Sequence, residues 1–312
     1  MDGMETASHA STTRAARRRQ LGRTGIAVSA LGLGGAPMGG RFGPVARETV
    51  RAVVVELLER DLNLVDTAAR YSDGRGEADL GAALADVPRA DYVLSCKVAA
   101  TATFEASLER LGVEFVDVAL LHDPYEASDD ELADALAELG ELRSRGLAGA
   151  IGVGIGEVDV LLRAIEAFDL DCVLVSGRYT LLDQSAGREL LPLCLERGIG
   201  VVLGSVFNSG ILATGAVPGA RFAYREAVPP DVAAAVRELD RLCAVRGVPL
   251  LAGALQFALE HPAVSSVLVG TTSPRHLGAC CDALETPIDE ELWHALAAAA
   301  PFESAAALPG AR

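Results

Sequence analysis

Short apolar runs alternate with longer amphipathic stretches along almost the whole chain. The runs are VSALGLGG at 28–35, LNLVD at 62–66, YVLSCK at 92–97, FVDVALLH at 115–122, LAGAIGVG at 147–154, CVLVSG at 172–177, GVVLGS at 200–205 and VSSVLVG at 264–270. Each is rich in β-branched residues, Leu or both, and apolar on both faces, as strands are in a parallel sheet covered on both sides. Between them lie patterns with apolar residues three and four apart, at 47–60, 129–146, 157–168, 184–197, 231–246 and 274–284. The stretch at 129–146 opens acidic and closes on Arg and Gly, the polarity that a helix dipole and C-cap favour. Eight strands with interleaved helices predict a (β/α)8 TIM barrel. A doubly wound open sheet is the alternative, but GLGGAPMGG lacks the G-x-G-x-x-G spacing expected after its first strand.

No linker or shift in composition divides the chain, so residues 17–312 read as one barrel domain and residues 1–16 as a disordered tail. The polar turn RTG between short extended pieces predicts a small N-terminal β-hairpin under the barrel. Residues 206–229 have no clear periodicity and follow the seventh barrel strand, which places them as a long functional loop over the barrel top.

Composition narrows the function classes. The net charge of −16 repels phosphate backbones, so nucleic acid is not an expected partner. The RAARRR cluster at 14–19 is too local to reverse that and reads as part of a solvated tail. No apolar run reaches the roughly 18 residues of a membrane span, and the N-terminus lacks the apolar core of a signal peptide. Cys96, Cys172, Cys194, Cys243, Cys280 and Cys281 form no C-x-x-C pair and read as buried thiols of a cytoplasmic protein. They suggest no metal site.

The chemistry lies at the strand ends. LNLVD ends in Asp66, YVLSCK in Lys97 and VALLH in His122. In a parallel barrel these ends share the face where barrel enzymes place their reactions. One such residue alone reads as a helix cap; three in succession, of different chemistry, read as a site. Tyr71, five residues after Asp66, leans over the same mouth, although alone it reads as a packing aromatic. A phenol titrates near ~10, and a neighbouring ammonium lowers that value. Asp66 can hold the Lys97 ammonium, Lys97 can tune Tyr71, and His122 can hydrogen-bond the same substrate oxygen. That makes an acid/base for a carbonyl or alcohol. Metal binding by Asp66 and His122 is the rival reading, which a lysine between them opposes.

NLVDTAARY, VLSCK and ALLHDP together resemble the aldo-keto reductase family, and the likeness runs over about residues 18–295. SGRYTLLDQ, FNSGILATG and GARFAYREAVPPDV are most similar to its branch of aldose 1-dehydrogenases, acting on fucose or threo-aldoses, and pyridoxal 4-dehydrogenase. The resemblance implies that Asp66, Tyr71, Lys97 and His122 form a catalytic tetrad. It further implies that NADP or NAD binds across the barrel mouth and exchanges hydride with a small carbonyl, alcohol or sugar substrate. By motif position, Ser176 and Tyr179 fall at the nicotinamide. Ser205, Phe207, Asn208, Ser209, Gly210 and Leu212 fall at the pyrophosphate. Gly270, Thr271, Thr272, Ser273, Arg275 and His276 fall around the adenosine phosphate, where TTSPRHL starts a helix suited to an anion.

Three departures qualify the resemblance. Gly270 stands where many NADP-specific members carry Lys; Gly154, Ile155 and Gly156 stand where an Asn is common; Gly204 stands where a Tyr stacks on the nicotinamide. Only VAATAT separates Lys97 from the next helix, which predicts a wider or more exposed pocket on that side. These changes motivate an alternative: a non-redox barrel that performs enolisation or elimination or acts as a binding subunit. Trp293 and Phe302 are expected to pack on the barrel's side.

Overall fold

In the computed structural model, which describes residues 12–223 and 227–299, each apolar run becomes a strand at nearly its expected bounds. The chain first makes β1 (Arg18–Gln20) and β2 (Ala27–Ser29), an antiparallel hairpin. The barrel then follows as β3 (Leu31–Gly34), α1 (Arg47–Glu59), β4 (Leu64–Ala68), α2 (Arg75–Leu84), β5 (Val93–Val98), α3 (Phe104–Leu111), β6 (Val116–His122) and α4 (Asp129–Ser144). It continues with β7 (Ala148–Ile155), α5 (Val158–Ala167), β8 (Cys172–Ser176), α6 (Leu190–Arg197), β9 (Gly200–Gly204), α7 (Ile211–Thr214) and α8 (Pro230–Val245). The last elements are α9 (Leu250–Glu260), β10 (Val264–Gly270), α10 (Pro274–Glu285) and α11 (Glu290–Ala299). Strands β3 to β10 pair in sequence order, all parallel, and β10 closes back onto β3.

Strand alternation divides the core into two layers. Leu33, Val65, Leu94, Cys96, Ala119 and Val153 point outward and pack against the helices. Leu64, Val93, Val118, Leu120, Cys172, Leu174, Val202 and Leu268 point into the barrel, where Leu21 and Val28 of the hairpin join them. The hairpin therefore plugs the barrel bottom, as its sequence predicts. Removing apolar side chains of this size from water contributes about 1.5–3 kcal/mol each.

The N-terminal segment is a correction. Residues 12–16 are not a solvated tail: Ala15 and Ala16 are buried. The Arg14 guanidinium donates to Gln256 Oε1 (3.0 Å) and Leu284 O (2.9 Å), and Arg19 donates to Leu259 O (2.9 Å) and Val264 O (3.1 Å). Arg14 and Arg19 thus satisfy carbonyls of the closing barrel unit, and Arg18 those of Ala16 and Asp61, so a run that looks solvated acts as a clasp. Residues 1–11, the rest of the expected tail, lie outside the described part, as does Phe302. Trp293 packs in the core with Leu292 and Leu296. All six cysteines are buried and unbridged. Among the described residues no single helix is long and apolar enough to cross a membrane.

Candidate active site

The inward parity that places Leu64 and Val93 in the barrel also fixes the polar residues above them. Asp66 lies two residues beyond Leu64; Ser95 and Lys97 lie two and four beyond Val93; His122 lies two beyond Leu120. Ladder register sets Asp66 beside Ser95, and Ser95 Oγ donates to Asp66 Oδ1 at 2.9 Å. Lys97 Nζ donates to Asp66 Oδ2 and, at 3.1 Å, to Thr67 O. Both members of the pair are buried, with Asp66 2% and Lys97 3% exposed. Burial works against the Lys97 ammonium, but the Asp66 carboxylate and then the Tyr71 oxygen outweigh it, so the amine is held above its usual range. It stays protonated.

Tyr71 sits on the tight turn between β4 and α2, with its N–H donating to Ala68 O at 3.0 Å. Lys97 Nζ lies 5.3 Å from the centre of its ring. His122 meets the same ring edge-on, with centroids 5.9 Å apart and planes at 88°. Burial pushes the His122 imidazole down to about 3, helped by the positive charges of Lys97 and Arg70. It is therefore neutral across the physiological range and has one N–H to donate. Its Nε2 faces Asp123 Oδ2 at 3.4 Å, and its buried Nδ1 finds no hydrogen-bond partner among the described residues.

A cavity of about 210 Å³ opens beside this group. Asp66, Tyr71 and Lys97 form one wall, and Ser176, Ser205, Phe207, Ser209, Gly210 and Gly270 contribute to the rest. Nine of the expected site residues thus share one cavity. His122 is not among the lining residues but packs edge-on against Tyr71, which is. After β9 the backbone turns through left-handed conformations at Ser205, Asn208, Ser209 and Gly210. Ser176 Oγ donates to Ser205 Oγ at 3.0 Å, linking β8 to that turn. Asn208 Oδ1 is buried without a partner among the described residues. Part of the stretch expected as one loop is therefore helical: a 3-10 turn at Asn208–Gly210 leads into α7.

The structure separates other expected residues from the cavity. Tyr179 is 1% exposed and stacks on Phe257 of α9 with centroids 4.8 Å apart. It is a core residue, because α9 offers an aromatic face that a strand-by-strand reading does not reveal. Leu212 is likewise buried in the core through α7. Thr271 Oγ1 accepts from Ser273 N at 3.0 Å and shapes the start of α10, where Thr272 and Ser273 are half-buried and Arg275 and His276 exposed. These residues lie outside the cavity, at a helix N-terminus with N–H groups to give.

The loop after β3 escaped sequence reasoning. Ala36, Pro37, Arg41 and Phe42 line the cavity, and Arg221 stacks over Phe42 at 5.2 Å from the ring centre. The available signal was APMGGRFGP, a glycine-rich stretch after a strand's C-terminal end. The loop also explains Gly270, since a Cβ there would meet Pro37 Cγ at 3.0 Å. Gly154 has a parallel reason: a Cβ would meet Lys97 Cδ at 3.0 Å. The connection at 99–103 lines no part of the cavity.

The residues fit a nicotinamide dinucleotide. The cavity sets the Lys97–Tyr71 pair beside Ser176 and the left-handed turn at Ser205–Gly210, with Gly270 on its far wall just before α10. Comparison with known proteins agrees. The chain is 33% identical to the pyridoxal 4-dehydrogenase of Microbacterium luteolum, covering 91% of this chain and 97% of the relative. It is also 33% identical to the D-threo-aldose 1-dehydrogenase of a Pseudomonas species, covering 88% and 95%. The holo structure of the Bacillus halodurans aldo-keto reductase AKR11C1 superposes with a TM-score of 0.74 at 25% identity, covering 91% of this chain and 96% of that one. Residues 30–301 match the Aldo/keto reductase family as a whole. A buried lysine–carboxylate pair under a tyrosine at the mouth of a closed barrel, carried on a sequence of this kind, makes the chain a member of the aldo/keto reductase family, an NAD(P)-dependent oxidoreductase that interconverts carbonyl and alcohol.

Proposed function

We propose that this enzyme oxidises the C1 hemiacetal of an aldose, or a comparable small alcohol, with Tyr71 as the general base, and that the reverse reaction uses the same tyrosine as acid. The observation that carries this reading is the Lys97 ammonium, buried on Asp66 and 5.3 Å from the Tyr71 ring. In oxidation the substrate hydroxyl gives its proton to the Tyr71 oxygen while the Lys97 charge favours the phenolate. The neutral His122 donates its N–H to the same substrate oxygen and orients it, without placing a second positive charge on Lys97. A nicotinamide cofactor held in the cavity would supply the hydride acceptor. Ser176, Ser205, Phe207, Asn208, Ser209 and Gly210 would hold the cofactor's inner half, and Thr271, Thr272, Ser273, Arg275 and His276 its adenosine phosphate. Tyr179 and Leu212 support those segments from the core.

The sugar class rests on the D-threo-aldose and pyridoxal dehydrogenases, which share a third of their residues with this chain. Neither relative lends support to a non-redox barrel. The test is a screen of the purified protein with NAD⁺ and with NADP⁺ against L-fucose, D-arabinose and pyridoxal, read as reduced nicotinamide formed. The expected result is turnover of at least one substrate, reduced about 10²- to 10⁴-fold by Tyr71→Phe. Full turnover in Tyr71→Phe would refute the assignment.

A further inference from the structure

Behind the catalytic group, outside the barrel wall, lies a buried polar cluster that the proposed chemistry does not use. Glu77 of α2 is fully buried. One carboxylate oxygen accepts from Arg110 Nε of α3 at 2.6 Å, and the other accepts from Cys96 Sγ of β5 at 3.2 Å. Burial, reinforced by Glu77, keeps the Cys96 thiol protonated and therefore a donor. Arg110 also donates to Ser107 Oγ at 3.0 Å.

Each partner connects through the backbone to a different half of the acid/base pair. Cys96 points outward from β5, and its chain neighbours Ser95 and Lys97 point inward onto Asp66. Arg110 lies under Gly74, close enough that a Cβ on Gly74 would meet Nε at 2.5 Å. Gly74, at φ +84°, ends the turn that starts at Tyr71, and Gly76 N–H donates back to Tyr71 O at 3.1 Å. A side chain there would be strained and would strike the guanidinium. Glu77 thus ties the Tyr71 turn to the strand that carries Lys97, through a charge-assisted hydrogen bond to the half-buried Arg110 and a buried one from Cys96.

We infer that Glu77, acting with Arg110 and Cys96, is a positioning residue that sets the distance between the Tyr71 phenol and the Lys97 ammonium. The claim rests on the reading of Tyr71 as the acid/base. The charged and titratable groups around Tyr71 include Asp66 and Lys97 from inside the barrel, His122 from β6 with Asp123 beside it, and Arg70, its chain neighbour. The Glu77 cluster reaches it only through the backbone.

Two variants test this without any substrate. Tyrosinate formation is followed by ultraviolet difference titration of each protein against its own Tyr71→Phe counterpart, which cancels the other four of the five tyrosines. Glu77→Gln leaves the Arg110 charge uncompensated, and electrostatics alone would then move Tyr71 ionisation to lower pH. A loosened turn moves it the other way, by about one pH unit upward, as the ammonium loses its hold on the phenol. Arg110→Lys keeps the charge but not the seat under Gly74, and is expected to shift ionisation upward as well. NADH binding and cooperative unfolding, measured alongside, confirm that each variant is folded. If Glu77→Gln fails to fold, Arg110→Lys decides. An unchanged or lowered ionisation in a folded variant overturns the inference. A protein in which these shifts occur but no aldose is turned over would instead count against the proposed substrate class.

Discussion

At the residue scale the site depends on one buried ion pair. Neither Asp66 nor Lys97 has access to water, so each charge is tolerable only because of the other. Asp66→Asn leaves the Lys97 ammonium buried without a counter-charge, and the expected loss is about 3–5 kcal/mol in chemical denaturation. Adding Lys97→Met to that variant is expected to restore much of the stability but none of the turnover. A double variant as unstable as Asp66→Asn would show that packing, not charge, sets the cost. His122 gives a pH dependence of known sign. Its imidazole is held near about 3 in the folded protein against 6.5 ordinarily. Because the unfolded chain takes up this proton first, His122 contributes stability that is complete above pH 6.5 and is lost progressively as pH falls toward 3. Replacing it with glutamine should flatten that part of the denaturation-midpoint profile; an unaltered slope would mean that other groups drive it.

At the scale of elements, the sequence exposed the strands and the polar residues at their ends, because doubly covered strands are apolar throughout and a single ionisable terminus stands out. The same reasoning missed α9, whose residues 250 and 252–259 are all buried, so that it shows no polar face and hence no helical stripe. Losing α9 hid Phe257 and left Tyr179 assigned to the cofactor when it belongs to the core. The loop after β3 was missed for the opposite reason, since it has no periodicity at all. Yet it is in direct contact with the chemistry: a Cβ on Gly39 would stand 2.6 Å from Tyr71 Cβ, and Ser72 Oγ donates to Gly39 O. Gly39→Ala must therefore displace the Tyr71 turn. A shift of about 1 Å at a reacting group costs on the order of 10² in rate. The expected outcome is a kcat reduced by about that factor with the NADH dissociation constant within about twofold of wild type. Equal loss in both would place Gly39 in cofactor binding instead.

On the scale of the whole molecule, eight parallel strands were readable from their apolar runs, three of them ending in an ionisable residue, whereas the seating of residues 12–16 on the last barrel unit was not. Arginines in a polar run look solvated, and no local pattern shows that their partners lie more than two hundred residues away. The structure makes Arg14 a link between the chain's first described turn and the α9–α10 unit on its far side. Its exposed ion pair with Glu260, at 3.6 Å, adds little. Most of its worth lies in Gln256, which is 3% exposed and whose Oε1 accepts from Arg14 while Nε2 donates to Ala283 O and Thr286 O. Removing the guanidinium strands a buried acceptor, a loss of about 1–3 kcal/mol. Arg14→Ala is therefore expected to lower the denaturation midpoint by that amount and to leave kcat untouched, since no atom of this cluster approaches the cavity. Pairing it with Gln256→Met, which removes the stranded amide, should return most of the loss. Persistent loss in the double variant would locate the effect in the Leu284 carbonyl and the seating of residues 12–16, and so in the clasp as a whole.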